Sequence, residues 1–356
     1  MVWVLMMTVV TVASACNVPV FRYALERWPA ENFEAFVFHQ GALNPNDQQH
    51  LNALSNSIHQ LSANLVLRLV NLSESRGMDE EKLWRAQTNA MLPWVVVRAP
   101  ESESNDPSLW TGALQDLNAK ALLDSPARSE LSRHLLNGDS LVWLMIDSGD
   151  RAQDEAVSVL LTNETRRLAS VLKLPPPSPD DPTPRSALPL QIAFSIQRLA
   201  RDVAGEDLFL RMLLHGEKVE QGKPVVVPVF GRGRALTALS GFELAPKIFS
   251  QAAAFLCGAC SCEVKELNPG KDLLLSANWE SIFTGPPPAA PGSVITAGES
   301  VPIAPGNPTA VPVAPRAKDL PNERRGLKLL ASTTLAFVCI IVLIIGIVML
   351  RSLRQR

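Results

Sequence analysis

The sequence predicts an α/β fold, in which the strands of one or two sheets alternate with helices along the chain. Short, nearly continuous apolar runs are typical of strands that are covered on both faces of a sheet. Longer segments between them repeat apolar residues every three or four positions, which is typical of helices packed on such a sheet. A proline-rich segment and a C-terminal apolar run follow this α/β body, and they predict a stalk and a membrane anchor.

The first part of the body, residues 16–173, is predicted to form an α/β domain with four strands and three helices. Ser125 is placed to cap its helix and Pro126 to occupy the first helical position. The polar turn 147–150 follows an apolar run and is predicted to cap the next helix. The predicted strands are 33–39, 64–70, 93–98 and 141–146, and the predicted helices are 47–61, 125–137 and 151–172.

A second, shorter proline-rich stretch at 174–188 is predicted to be a linker, and residues 189–284 to be a second α/β subdomain. Strands and helices alternate less regularly in this part, and the last predicted strand is short enough to lie at the edge of a sheet. The predicted strands are 189–196, 225–230 and 262–266, and the predicted helices are 206–215 and 247–256.

Residues 285–328 are predicted to be a disordered stalk, because ten prolines lie between 285 and 321 and almost no aromatic residue accompanies them. In polyproline II conformation, at about 3.1 Å per residue, such a segment reaches on the order of 100 Å. Residues 329–350 contain neither charge nor proline. A helix of that length rises roughly 33 Å, enough to cross a bilayer once. Residues 351–356 form a basic tail that we expect in the cytoplasm.

The N-terminus is predicted to be a signal peptide, residues 1–15, because an apolar stretch precedes Ala13-Ser-Ala15. Two alternatives remain: lipidation of Cys16, and an uncleaved segment. With a signal peptide and a stop-transfer helix, the chain is expected in the cytoplasmic (inner) membrane as a single-pass protein. Its body then lies on the periplasmic, extracytoplasmic side.

The distribution of charge argues against nucleic acid as a partner. The whole chain carries −2, and a net +6 from Arg316 onward leaves −8 on the rest. An acidic body of this kind lacks the basic patch that nucleic acids require.

The sequence has five cysteines, and three of them form the cluster Cys257-Gly-Ala-Cys260-Ser-Cys262. A structural disulfide is one interpretation, with Cys16 joined to Cys260 or Cys262. Thiol–disulfide exchange, ligation of Cu(I) and inert thiols are the others. The expected end of a helix at Cys257 is unlike a thioredoxin-type site, whose cysteines open a helix. No other cofactor is predicted.

Gly231-Arg-Gly-Arg234 follows a predicted strand and allows two interpretations. Backbone amides with Arg232 and Arg234 could bind an anion, or a glycine turn could carry two solvated arginines. The chain lacks the common nucleophile, zinc-hydrolase and phosphate-loop motifs, so whether it is an enzyme stays open, with a non-enzyme favoured.

Four stretches together resemble an uncharacterised family of exported, C-terminally membrane-anchored bacterial proteins: CNVPVFRYALERWP, SLVWLMIDSGD, VPVFGRGRALTAL and CGACSCEVKELNPG. The resemblance implies an envelope location, and Cys16, Cys260 and Cys262 are part of it. The order of strands also resembles a thioredoxin-like sheet, by analogy of fold alone.

The sequence therefore predicts a membrane-tethered extracytoplasmic protein that binds or supports an envelope protein partner. A tether that sweeps about 100 Å suits a protein that reaches a partner better than an enzyme with a diffusible substrate. The alternative is a thiol–disulfide redox or copper-handling protein that uses the cysteine cluster.

Overall fold

The computed structural model describes residues 17–100, 108–260 and 263–283, all within one compact unit, Met1–Ala290. The predicted signal peptide, Cys16, Cys262, stalk, membrane helix and tail lie outside these residues. Among the described residues, no helix combines the length and apolarity that crossing a membrane requires.

The fold is mixed α/β. Within the described ranges the helices are α1 Val20–Arg27, α2 Pro45–Leu61, α3 Met78–Arg85, α4 Ala119–Leu123, α5 Pro126–Leu136, α6 Arg151–Val171, α7 Asp207–Leu214 and α8 Pro246–Cys257. The strands are β1 Phe33–His39, β2 Leu65–Asn71, β3 Trp94–Arg98, β4 Trp110–Ala113, β5 Leu141–Ile146, β6 Phe194–Leu199, β7 Val225–Phe230, β8 Arg234–Ala235, β9 Leu239–Ser240 and β10 Lys271–Asp272.

The first sheet has the strand order β2-β1-β3-β4. β1 and β2 are parallel and joined through α2, while β3 and β4 are antiparallel to their neighbours. Trp94, at the start of β3, pairs with Phe38, near the end of β1. The ends of β1 and β2 and the start of β3 therefore lie at one edge of the sheet.

The second sheet repeats this arrangement with a longer helix. Its order is β10-β8-β7-β5-β6, and β9 pairs with β7 beside this path. β5 and β6 are parallel, with α6 between them in the chain, and β7 is antiparallel to β5. The two sheets thus share a parallel pair joined by a helix, followed by two antiparallel strands.

One apolar core joins the two sheets. Val37 and Val97 of the first sheet belong to the same buried cluster as Val142 and Val227 of the second. A second cluster on the other face of the second sheet packs α1, α6 and α8, with Trp143 and Phe249 in edge-to-face contact at 5.4 Å. A small third cluster covers the other face of the first sheet beneath α3.

α1 is buried along nearly its whole length, including two charged residues. Arg22 and Glu26 form an ion pair at 2.7 Å, and both side chains are about nine-tenths or more buried. The Glu26 carboxylate accepts hydrogen bonds from the backbone N–H groups of Arg185 (3.0 Å) and Ser186 (3.1 Å). Because its charge is paired and hydrogen-bonded, Glu26 can lie in the interior.

These contacts correct the predicted linker at 174–188. Its end is held against α1, and it does not separate two sheets, since β5 from before it belongs to the same sheet as β6 and β7 after it. The sequence suggested a linker because proline excludes regular structure there. Proline does not prevent a segment from docking through its carbonyls and neighbouring side chains.

Most predicted elements are confirmed, and two strands are wrong. The strand expected at 189–196 begins at Phe194, because its parallel partner β5 begins at the facing Leu141. The edge strand expected at 262–266 gives way, in its described part, to a 3-10 turn Lys265–Leu267. Lys265 turns inward there to form buried ion pairs. Helices α1, α3 and α4 and the short strands β4, β8, β9 and β10 were not predicted.

Candidate functional site

Cys257 ends α8, as the sequence predicted, and it is a buried free thiol. Burial raises the pKa of this thiol from 9.0 to about 12, so it is protonated at neutral pH. The thiolate is the form that attacks disulfides and binds soft metals. Cys257 is therefore poorly suited to redox or Cu(I) chemistry.

Cys260 is also buried, and its backbone places it beside the N-terminal segment. The Cys260 N–H donates to the Val18 carbonyl at 2.9 Å, and the Val20 N–H donates to the Gly258 carbonyl at 3.0 Å. Pro19 and Ala259 face each other as an antiparallel bridge. In sequence, Cys16 lies two residues before Val18 and Cys262 two residues after Cys260.

A disulfide from Cys16 to Cys260 or Cys262 stays a prediction, since Cys16 and Cys262 lie outside the described residues. In the part of the chain that the structure describes, no group of three or more His, Cys, Asp or Glu is arranged to hold a metal ion. The Cu(I) hypothesis involves Cys262 and also stays a prediction.

The turn Gly231-Arg-Gly-Arg234 holds its arginines against the protein. Gly231 has φ +60°, and a Cβ there would lie 2.7 Å from the Cβ of Ala24, so glycine lets α1 approach the turn. The Arg232 Nε donates to the Leu25 carbonyl at 2.8 Å, and its guanidinium lies 4.8 Å from the ring centre of Phe283. Burial lowers the pKa of Arg232 from its usual value.

Arg234 is more deeply engaged. Its Nη1 pairs with the Asp272 carboxylate at 3.0 Å, and its other nitrogens donate to the Asn268 (2.9 Å) and Pro269 (3.2 Å) carbonyls. The interpretation as two solvated arginines is wrong, because both side chains are largely buried against the chain. Their hydrogen bonds within the chain stabilise the turn, and anion binding by Arg232 and Arg234 stays a prediction.

Arg234 belongs to a buried cluster of two cations and two carboxylates that the sequence did not reveal. Asp272 also pairs with Lys265, whose Nζ lies 3.0 Å from Glu31 Oε1 and donates to the Pro29 carbonyl at 2.7 Å. This cluster fastens the segment before β1 to β8 and β10. Glu31, Arg234 and the Lys265–Asp272 pair are far apart in sequence, so no local pattern indicates the cluster.

The second sheet has a charged edge where β5 and β6 end, which we call the second edge. Asp150 caps α6 by accepting from the Ala152 (2.9 Å) and Gln153 (3.2 Å) N–H groups, as predicted for this turn. The Gln153 side chain also donates to Asp150, and this hydrogen bond contributes most to lowering the pKa of Asp150. Backbone and side-chain donors together keep this carboxylate ionised.

Asp154, one helical turn further on, is 3 % exposed and accepts hydrogen bonds from the same turn on its buried side. Its carboxylate accepts from the Ser148 N–H and hydroxyl, both at 2.7 Å, and from the Gly149 N–H at 3.2 Å. The amides that open α6, where an external anion would otherwise bind, are thus occupied by the chain's own carboxylates.

Arginines line a cavity of about 520 Å³ at the second edge, and two of them are held by Asp147. Arg198 Nε lies 2.7 Å from the Asp147 carboxylate, and Arg201 Nε donates to the Asp147 carbonyl at 3.0 Å. The second edge is therefore charged and largely paired within itself.

At the corresponding edge of the first sheet, where β1 and β2 end and β3 begins, aromatic side chains pack and apolar side chains are exposed; we call it the first edge. α3 packs over it, with Trp84 at 5.2 Å from Phe38 and the Trp94 indole N–H donating to Gln87 at 3.1 Å. Exposed apolar side chains precede and follow this packed region: Met78 is 81 % exposed, Met91 68 % and Leu92 36 %.

The start of α3 is held in place by Arg76. Its guanidinium donates to the Leu72 carbonyl and pairs with Glu81, both at 2.6 Å. The hydrogen bond from Arg76 lowers the pKa of Glu81. Met78 is therefore exposed at the start of a helix that the contacts of Arg76 hold in place. Sequence analysis missed this site, although the apolar pair Met91-Leu92 just before the predicted strand 93–98 was a visible signal.

No family model matches this chain, and no curated protein matches it. Among solved structures, one that is similar contains the first two thioredoxin domains of Eps1p from Naumovozyma dairenensis, with 12 % identity over 62 % of this chain and 90 % of that one, at a TM-score of 0.21. The same two domains of Eps1p from Saccharomyces cerevisiae match with 11 % identity over 63 % of this chain and 91 % of that one, also at 0.21. These TM-scores are too low to support an argument about this chain.

Proposed function

We propose that this chain is a membrane-tethered extracytoplasmic accessory protein that binds an envelope protein partner through the first edge. The observation that carries the proposal is the exposure of two methionines: Met78 begins helix α3, which Arg76 holds in place, and Met91 lies just before β3. Methionine suits a surface that adapts to a partner, because its side chain is apolar, flexible and polarisable. The membrane location rests on residues 1–15 and 329–350 of the sequence.

We further propose that both sheets have thioredoxin-like strand order. The support is their order, β2-β1-β3-β4 in one and β6-β5-β7-β8 in the other, with the same directions. In a thioredoxin-type redox site, the cysteines open the helix that follows the first strand of such a unit. The segments at that place, 40–45 and 147–151, contain no cysteine, which favours binding over thiol exchange.

The alternative, a thiol–disulfide redox or copper-handling protein, depends on Cys260 and Cys262, because Cys257 is buried with a pKa of about 12. Alkylation before and after mild reduction, followed by peptide mass spectrometry with metal analysis, decides between the two. A readily reduced bond within the cluster, or stoichiometric copper, would replace partner binding with the alternative.

Site-specific photocrosslinking tests the binding proposal. A benzophenone amino acid at Met91 is expected to capture one partner reproducibly from intact membranes. The same probe at Val171, 55 % exposed on α6, serves as the matched control because it is apolar and far from the first edge in the sequence. Equal labelling from both positions, or no reproducible partner from Met91, would refute the proposal.

A further inference from the structure

A cavity of about 320 Å³ lies where the two sheets meet, away from both edges described above. One wall is apolar and well packed: Phe33 of β1, Leu109 before β4 and Met212 of α7 are each no more than 3 % exposed. The opposite wall is polar and comes from the segment around β10. A volume of this size accommodates one long side chain or a small ligand.

The positive charges at this cavity already have partners. Arg234 is held by Asp272 and backbone carbonyls, as described above. Lys271 Nζ donates to the His215 carbonyl at 2.7 Å and pairs with Glu217 at 2.9 Å. A ligand carboxylate or phosphate would therefore have to displace an existing ion pair to bind here.

Negative charge remains available at the same cavity. Glu31 uses Oε1 to pair with Lys265, while its Oε2 makes no hydrogen bond among the described residues. Glu266 is exposed, lines the cavity and has no ion-pair partner within the described ranges. A cation entering the cavity would meet two carboxylates with free oxygen atoms.

We propose that this cavity binds a lysine or arginine side chain of the protein partner. The apolar wall fits the aliphatic stem of such a side chain, and the carboxylates of Glu31 and Glu266 fit its cationic head. The net charge of −8 before Arg316 favours a basic partner in the same way. This inference rests on the proposed partner-binding function and specifies the chemistry of the partner.

Binding of short peptides to the full-length chain in detergent tests the inference. Acetyl-Gly-Lys-Gly-amide, its norleucine analogue and its glutamate analogue are compared by ligand-observed NMR. We expect the lysine peptide to bind at least about tenfold more tightly than the norleucine peptide, because a hydrogen-bonded charge adds to the apolar contact. Equal binding of the lysine and norleucine peptides, stronger binding of the glutamate peptide, or no binding at all would overturn the inference.

Glu266→Gln is expected to weaken binding of the lysine peptide about tenfold and to leave the norleucine peptide unchanged. Glu266 is exposed, so the variant should fold. Glu263→Gln is the matched control, since it removes the same charge from an exposed residue outside the cavity lining. A lysine affinity that is equally reduced in both variants, or in neither, would contradict a specific role for Glu266.

Photocrosslinking from Met91 separates this inference from the proposed function. If the probe captures its partner but the lysine peptide does not bind, the cavity inference fails and the function stands. If the probe at Met91 captures no reproducible partner, the proposed function fails, whatever the result with the peptides.

Discussion

The first and second edges occupy equivalent places in two sheets with the same strand order, and different side chains surround them. At the second edge, Asp150 and Asp154 occupy the amides that open α6, and Asp147 holds Arg198. At the first edge, Met78 and Met91 are exposed beside packed aromatic rings. Strand order therefore fixes where a site can form, while the residues after each strand decide what it binds. The charges of the second edge are paired with one another, and the first edge is the one that we propose binds a partner.

Asp154→Ala should have the largest effect, on stability. It leaves the Ser148 and Gly149 amides without their buried acceptor, so we expect the free energy of unfolding to fall by about 2–3 kcal/mol. Denaturant unfolding of the full-length chain in detergent measures it. Asp150→Ala, at the exposed cap, should cost only about 1 kcal/mol. Equal losses in the two variants would mean that the buried hydrogen bonds of Asp154 do not stabilise the second edge more than the exposed cap does.

Met91→Glu should have the next largest effect, on binding. A charge at the centre of an apolar contact is expected to lower partner capture at least about tenfold. Because Met91 is 68 % exposed, unfolding free energy should change by less than about 0.5 kcal/mol. Capture by a probe at Met78 reports binding, and Val171→Glu is the control. Unchanged capture in Met91→Glu would remove the functional difference between the edges.

Acidification should lower the free energy of unfolding through Asp150 at the second edge, by less than the substitutions above. The pKa of Asp150 lies below the usual 3.8, so its stabilising contribution is complete at neutral pH and is lost as the pH falls through the lowered pKa. Stability measured between about pH 6 and about pH 2 should therefore decline more in the unsubstituted chain than in Asp150→Asn. Parallel declines would show that this carboxylate does not stabilise the turn through its charge.

The smallest expected effect is the extent of alkylation of Cys257 in the folded chain, which should be close to zero. With a pKa of about 12 and a buried thiol, it should resist iodoacetamide near pH 8 and react fully after unfolding. Peptide mass spectrometry reads both states. Rapid labelling of the folded chain would establish a reactive site away from both edges, and the redox alternative would gain support.

The sequence predicted those features whose cause is local. Apolar runs located β1, β5 and β7, and Ser125 was correctly placed as a cap, since its hydroxyl accepts from the Arg128 N–H at 3.4 Å. Helix α1 was missed because Arg22 and Glu26 interrupt its apolar pattern, and only the folded chain shows that they neutralise each other inside it. Its apolar face could not be distinguished from its polar one.

The roles of Arg232 and Arg234 could not be predicted for a related reason. Their partners Leu25, Phe283 and Asp272 are distant in sequence, so the local Gly-Arg-Gly-Arg pattern resembles a solvent-facing turn. The first edge was missed because exposure of a methionine depends on what packs around it. Periodicity indicates which residues could be buried, and tertiary packing decides which of them remain outside.

Helix α1 also has a consequence for folding during synthesis, because it packs against residues that lie much later in the chain. α1 is synthesised before the residues that it contacts: Glu26 hydrogen-bonds Ser186, 160 residues later in the chain, and Trp28 hydrogen-bonds Glu263, 235 residues later. Until then its apolar side chains have no native surface to cover them, and they are available to chaperones. We expect chains truncated before residue 258 to be degraded, because the apolar side chains of α1 then lack part of the surface that α8 provides.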